Sequence, residues 1–234
     1  MIKAILFDLD GTLLPMDQDV FLKAYFSGLV KAMIPHGYDS ELVVKSIWAG
    51  TSAMVKNDGS RSNEEVFWES FCGFFGPDAR KDEPLFQHFY ETEFQKVSAA
   101  CGFDSRAAEA IREIRELGCR TILATNPLFP PIATRSRIRW AGLQPEDFEY
   151  ITTYDNSSFC KPNPRYYEEI LHKQGFSPAE CVMVGNDVGE DMIAANLGMK
   201  VFLLTDCLIN KSDADISQFP HGSFPELMEF IRGL

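Results

Sequence analysis

The sequence predicts an α/β fold with a doubly wound, Rossmann-like parallel sheet and an inserted helical segment, on three observations. Residues 2–8 form an apolar run that stops at two acids, Asp8 and Asp10. After residue 100, short β-rich runs alternate with amphipathic stretches, the pattern of βα units and a parallel sheet. Between residues 15 and 100 the apolar residues recur at helical spacing with no β-rich run among them. Together these assign 1–14 and 101–234 to an α/β core domain and 15–100 to an inserted helical domain.

The elements follow in order. Residues 2–8 read as the first strand, and "VFLKAYFSGLVKAM", "ELVVKSIW", "NEEVFWESFCGFF" and "LFQHFYETEF" read as helices of the insertion. The third helix opens on a capping box, Ser62 to Glu65. Phe67, Trp68, Phe71, Phe74 and Phe75 read as core packing of the insertion rather than as a ligand stack. In the second half, 121–125, 149–155, 181–185 and 200–206 read as strands, while 107–118 and 189–198 read as helices ending at Gly118 and Gly198. That makes five strands.

Composition bounds the function. The 234 residues, 45% hydrophobic, can bury a substantial core. With 22 Lys and Arg against 34 Asp and Glu, the net charge of −12 repels nucleic acid and anionic membrane, so neither is an expected partner. One basic cluster breaks the trend, Arg135, Arg137 and Arg139, and alternation within a helix makes it a solvated face. The six cysteines are scattered, without a C-x-x-C pair, which opposes zinc or a disulfide framework and suits a reducing cytoplasm. Cys181, at the head of an apolar strand, reads as a small buried thiol. No segment approaches the roughly 20 apolar residues that span a bilayer, and the first apolar run is interrupted at Asp8.

In an open parallel sheet, ligands bind beyond the carboxyl ends of the strands. Those ends read Asp8-Leu9-Asp10-Gly11-Thr12, Thr125-Asn126-Pro127 and Gly185-Asn186-Asp187-Val188-Gly189-Glu190-Asp191, with Lys161-Pro162-Asn163-Pro164 between the third strand and its helix. A carboxylate buried without a partner costs several kcal/mol, so a strand running into two of them must meet water, metal or ligand. Asp10-Gly11 is also a common turn signal, and the acids after the fourth strand are favoured at a helix start.

These four stretches, in this order, resemble the four motifs of the haloacid dehalogenase-like hydrolase superfamily. D-x-D-G-T is similar to its first motif, a Thr after an apolar strand to its second, K-P to its third, and G-N-D-x-x-x-D to one form of its fourth. The helical insertion between the first two motifs resembles that family's common cap, which implies a helical cap domain over 15–100.

The residues then take roles. Asp8 can attack phosphorus in line and form an aspartyl-phosphate. Asp10 can protonate the leaving oxygen and then take a proton from water, the neighbouring anion raising its pKa. Phosphate approaching Asp8 needs local positive charge, which Mg²⁺ supplies with oxygen ligands. Asp8, the main-chain carbonyl of Asp10 and Asp187 suit it, and the resemblance implies the same trio; Asn186 stands where many relatives carry an acid and is a possible second contact. Asp191 orients metal-bound water or Lys161 from behind. Lys161 offsets charge in the transition state, with Asn163-Pro164 as N-cap and first turn of the next helix fixing its place. Thr125 and the Asn126 N–H can donate to phosphoryl oxygens.

The expected function is Mg²⁺-dependent hydrolysis of a small phosphorylated metabolite. A phosphomutase or phosphonatase of the same superfamily is an alternative, the latter wanting a cap lysine such as Lys45 or Lys56. Haloacid dehalogenation is disfavoured, since carbon–halogen displacement needs neither an acid at position 10 nor a metal. A non-catalytic receiver-like module phosphorylated on aspartate is opposed by the large insertion. Trp48, Lys56 and Arg61 are candidate specificity residues.

Overall fold

β1 (Ala4–Phe7) is the centre of the molecule, and all four of its residues are fully buried. A computed structural model describes all 234 residues and places β1 in a six-stranded, wholly parallel sheet. The other strands are β2 (Arg120–Leu123), β3 (Tyr150–Ile151), β4 (Cys181–Gly185), β5 (Lys200–Leu204) and β6 (His221–Gly222), in the order β3-β2-β1-β4-β5-β6. A strand covered on both faces must be apolar at every position, which is why Ala-Ile-Leu-Phe runs without alternation.

Each face has its own core. Ile5 and Phe7 pack with α5 (Ser105–Glu116) and α8 (Phe224–Arg232) through Ile111, Ile114, Leu227 and Ile231. Ala4 and Leu6 point to the other face and meet Tyr166, Tyr167 and Ile170 of α7 (Pro164–Gln174). Phe7 lies in register with Leu123 of β2 and Val184 of β4. The carboxyl ends of the three central strands are therefore level, and the residues after them converge.

The stretch before β2 holds α1 (Gln18–Met33), α2 (Ser40–Val55), α3 (Asn63–Phe75) and α4 (Glu83–Glu91), with 3₁₀ segments following α1, α3 and α4. Asp17 and Asp39 cap α1 and α2 by accepting main-chain N–H groups, and Ser62 with Glu65 forms a capping box on α3. The apolar faces meet in an aromatic core: Phe71 lies edge-on to Phe86 with ring centroids 5.2 Å apart, and Phe21, Tyr25, Phe89 and Phe94 continue it. Ala133 of α6 (Pro131–Trp140) joins this cluster, while Ile138 of the same helix joins the sheet core. One helix thus serves both halves.

Three elements differ from the sequence expectation. The third strand keeps only two ladder residues instead of 149–155, because the Asn156 side chain donates to the Ile151 carbonyl and accepts the Thr153 N–H, turning the chain away. Residues 189–198 do not form a helix throughout; only Met192–Leu197 wind, as a 3₁₀ segment, because Asp191 is drawn into the core and does not cap. A sixth strand, β6, was not expected, and two residues carry no readable pattern. Cys181 is fully buried as expected, and all six cysteines are free thiols. No helix is long and apolar enough to cross a membrane.

Candidate active site

Asp8 leaves β1 directly above the level strand ends, where its N–H still donates to the Val184 carbonyl at 2.9 Å. Its parity follows Ala4 and Leu6, so the side chain turns to the face that α7 covers. Lys161, just before α7, meets it there. The Lys161 Nζ donates to Asp8 Oδ1 at 2.8 Å and to Asp191 Oδ1 at 2.6 Å. Asn163 caps α7 through the Arg165 N–H and Pro164 fills its first turn, so the lysine is launched from a fixed point; the Lys161–Pro162 peptide is cis.

Lys161 is only 1% exposed. Burial works against its ammonium, and the Asp191 and Asp8 carboxylates outweigh burial, holding Lys161 protonated well above the usual lysine range. Asp191, equally buried, has its carboxyl pushed up to about 7 by burial against the pull of Lys161. The Asp191 Oδ2 accepts the Asp187 N–H at 2.9 Å, which ties the loop after β4 to the lysine. Gly185 makes this possible, since a Cβ there would overlap the Asp191 carboxylate. The acids after β4 are therefore not helix caps: Asp191 serves the ion network, while Asp187 Oδ1 accepts from Gly189 and Glu190 N–H in a local turn.

Asp10 is held differently. Its carboxylate pairs with Arg137 of α6, whose guanidinium stacks 4.4 Å from the centroid of Phe129. Burial pushes the Asp10 carboxyl up, Arg137 pulls it back, the Asp8 anion pushes again, and the net shift is upward. Asp10 Oδ1 is buried without any hydrogen bond. The solvated-face reading of the basic cluster fails at this residue: Arg135 and Arg139 are exposed, but Arg137 is 1% exposed. The signal was present, because Ala133, Arg137 and Trp140 fall on one stripe of α6 at spacings of four and three. Replacing Arg137 with Met is expected to cost about 2–3 kcal/mol in urea unfolding, below the usual loss for a broken buried pair because the Asp10 side chain is 23% exposed. An unchanged midpoint would refute the pairing.

Thr125 and Asn126 close the other side. The Thr125 carbonyl accepts from Thr152 Oγ1 at 2.6 Å and Tyr166 Oη at 2.8 Å, which fixes the end of β2. Asn126 Nδ2 donates to Glu190 at 3.1 Å, while its Oδ1 is buried and unpartnered. The main-chain N–H groups of Leu9, Asp10 and Asn126 make no hydrogen bond within the protein. Free donors at strand ends suit an oxyanion.

These groups share one cavity of about 750 Å³, between the strand ends and the helices α1–α4. Asp8, Asp10, Thr125, Asn126, Asn186 and Asp187 all line it, whereas Lys161 and Asp191 stand behind Asp8. Of the specificity candidates, Trp48 lines it; Lys56 and Arg61 do not, Arg61 instead pairing with Glu69 on the surface. Lys45 lies outside it as well.

No cluster of three His, Cys, Asp or Glu side chains marks a metal centre. The donor set that faces the cavity is nonetheless all oxygen: the Asp8 and Asp187 carboxylates and the Asp10 carbonyl, which accepts no hydrogen bond. Such a set fits a hard divalent cation that keeps part of its water shell. Asn186 is committed elsewhere, its Oδ1 2.9 Å from the Thr12 hydroxyl and its Nδ2 donating to the Cys207 carbonyl at 2.6 Å.

Residues 2–198 match the family model of the haloacid dehalogenase-like hydrolases. The chain belongs to this family. It is a hydrolase of the haloacid dehalogenase-like class. It is similar to the glyceraldehyde 3-phosphate phosphatase of Methanopyrus kandleri, 23% identical over 100% of this chain and 99% of that one. It is 27% identical to the phosphoglycolate phosphatase of Vibrio vulnificus, over 87% of this chain and 84% of the other. In fold it matches the 2-haloacid dehalogenase of Pseudomonas syringae with a TM-score of 0.63 at 20% identity, covering 100% and 99% of the two chains.

Proposed function

We propose that this hydrolase is a Mg²⁺-dependent phosphatase that cleaves a small phosphate monoester through an aspartyl-phosphate on Asp8. The observation that carries this reading is the pairing of Asp8 with the buried Lys161 at 2.8 Å, beside Asp10 and at the mouth of free N–H donors. An anion held between an ammonium and open oxyanion donors is arranged to attack phosphorus, not to stabilise the fold. The phosphatase names of two relatives with different substrates agree with the reaction and leave the leaving group open.

Asp8, the Asp10 carbonyl and Asp187 would hold Mg²⁺, which would supply the charge that lets a phosphate dianion approach a carboxylate. The chain's own residues do the rest. The N–H groups of Leu9, Asp10 and Asn126, with the Thr125 hydroxyl, bind the phosphoryl oxygens and orient phosphorus for in-line attack. Asp8 attacks, and Asp10 transfers its proton to the departing alkoxide. Asp10, now ionised, then takes a proton from the water that attacks the aspartyl-phosphate and regenerates Asp8. Lys161 keeps the Asp8 carboxylate oriented and its charge offset, and Asp191 fixes Lys161.

The helical segment 15–100 acts as a cap that excludes bulk water and selects the alcohol. Six free thiols agree with action in the reducing cytoplasm. Phosphate release from p-nitrophenyl phosphate tests the reading. It is expected with Mg²⁺, abolished by excess EDTA and restored by added Mg²⁺. Full activity in EDTA would contradict the role given to Asp187.

A further inference from the structure

We propose that the leaving group accepted by this site is a ring-bearing alcohol whose buried body is uncharged. The substrate class is then the phosphomonoester of an aromatic or polycyclic alcohol, not a two- or three-carbon phosphorylated acid or aldehyde. This rests on the phosphatase reading above and deepens it.

The size of the cavity is the first argument. About 750 Å³ is the volume of a site for a drug-sized ligand. The phosphoryl group is bound at one end, by the strand termini, and a two-carbon remainder would leave the other end filled with water against an apolar wall.

The wall itself is the second. Facing the acids across the cavity are Phe26 and Trp48, Phe67 and Trp68, and Phe86 and Tyr90, from α1, α2, α3 and α4 respectively. Expected as core, Phe67 and Trp68 do pack there, and they also present surface to the cavity. Trp48 is not core at all. It is 48% exposed and its ring lies 5.3 Å from that of Phe26, an aromatic pair held open at the cavity. A flat ring sliding between such faces buries apolar area on both sides.

Charge is the third. The helical segment contributes no lysine or arginine to the lining; its charged lining residues are Glu64 and Glu83, both engaged by Arg80 at 2.5 and 3.3 Å. A carboxylate or second phosphate on the leaving group would find no free cation of residues 15–100 on the lining. The cationic lining residues are Arg135 and Arg139, which belong to α6 and are exposed to solvent.

Finally, the Trp68 indole N–H is buried in the wall of the cavity, where the Tyr154 hydroxyl is its neighbour but no hydrogen bond of good geometry is made. A buried donor left open on the wall of a site calls for an acceptor on the ligand, such as a ring oxygen or a carbonyl. An aromatic alcohol bearing one such oxygen satisfies size, wall, charge and this donor together.

The test compares 2-(1-naphthyl)ethyl phosphate with ethyl phosphate, esters of alcohols of similar acidity, and with phosphoglycolate and glyceraldehyde 3-phosphate. The naphthylethyl ester is expected to exceed ethyl phosphate in kcat/KM by about 100-fold, since each buried methylene alone can give tenfold or more. In Trp48→Ala, whose side chain is half exposed and dispensable to the core, that ratio is expected to fall about tenfold. Equal or greater kcat/KM for the small esters overturns the proposed class while leaving the phosphatase reading intact. Hydrolysis of none of them, p-nitrophenyl phosphate included, overturns both.

Discussion

Replacing Asp8 with asparagine is expected to abolish hydrolysis of every ester the wild-type protein accepts, lowering kcat by at least about 10⁴-fold. Asparagine has the same shape but its amide does not attack phosphorus, so the loss reads chemistry and not packing. Folding should survive, because Lys161 keeps its ion pair with Asp191 at 2.6 Å and the main chain at position 8 keeps its bond to Val184. Circular dichroism and the urea midpoint provide the control. A variant that retains a rate within tenfold of the wild type would mean that another group attacks phosphorus.

Asp10→Asn is expected to show a loss that depends on the leaving group. An acid that protonates the departing oxygen matters most when that oxygen is a poor leaving group, so an alkyl phosphate should slow by about 10²–10⁴-fold. p-Nitrophenyl phosphate, whose phenolate departs unaided, should lose far less in the first step. The pH profile follows from the same proton. Burial raises the Asp10 carboxyl despite Arg137, and a general acid is active only while protonated. For an alkyl ester, kcat/KM therefore falls as pH rises through a pKa above the usual carboxylate range, and this alkaline limb is expected to vanish in Asp10→Asn. An equal loss on both esters would assign Asp10 to binding instead.

Much of the site was legible because strand ends in a parallel sheet are forced together and acids there have no packing reason to exist. Asp8, Asp10, Thr125 and Asp187 declared themselves by following apolar runs, and they share one cavity. Lys161 was legible through its neighbours, since Asn163-Pro164 announces a helix start. The ion pair behind Asp10 was not. Arg137 stands 127 positions away in the chain, and its own surroundings, with one exposed arginine on each side, resemble a solvated face. Only its spacing from Ala133 and Trp140 marked the buried stripe. The 3₁₀ winding after β4 was hidden for a related reason: Asp191 has a partner at Lys161 that lies 30 residues off, and this contact overrides the local helical pattern. The aromatics of residues 15–100 could be read as core from their helical spacing, but no periodicity distinguishes a ring that fills the core from one that also faces a cavity.

The most direct measurement locates the phosphoryl group on the protein during turnover. Acid quenching within the first turnover, in the presence of Mg²⁺ and radiolabelled ester, should trap an acyl phosphate, and borohydride reduction should convert residue 8, and no other, to homoserine. Label on a different side chain, or an unreduced aspartate at position 8 in protein that carries the label, would contradict Asp8 as the nucleophile and with it the site assembled around Lys161.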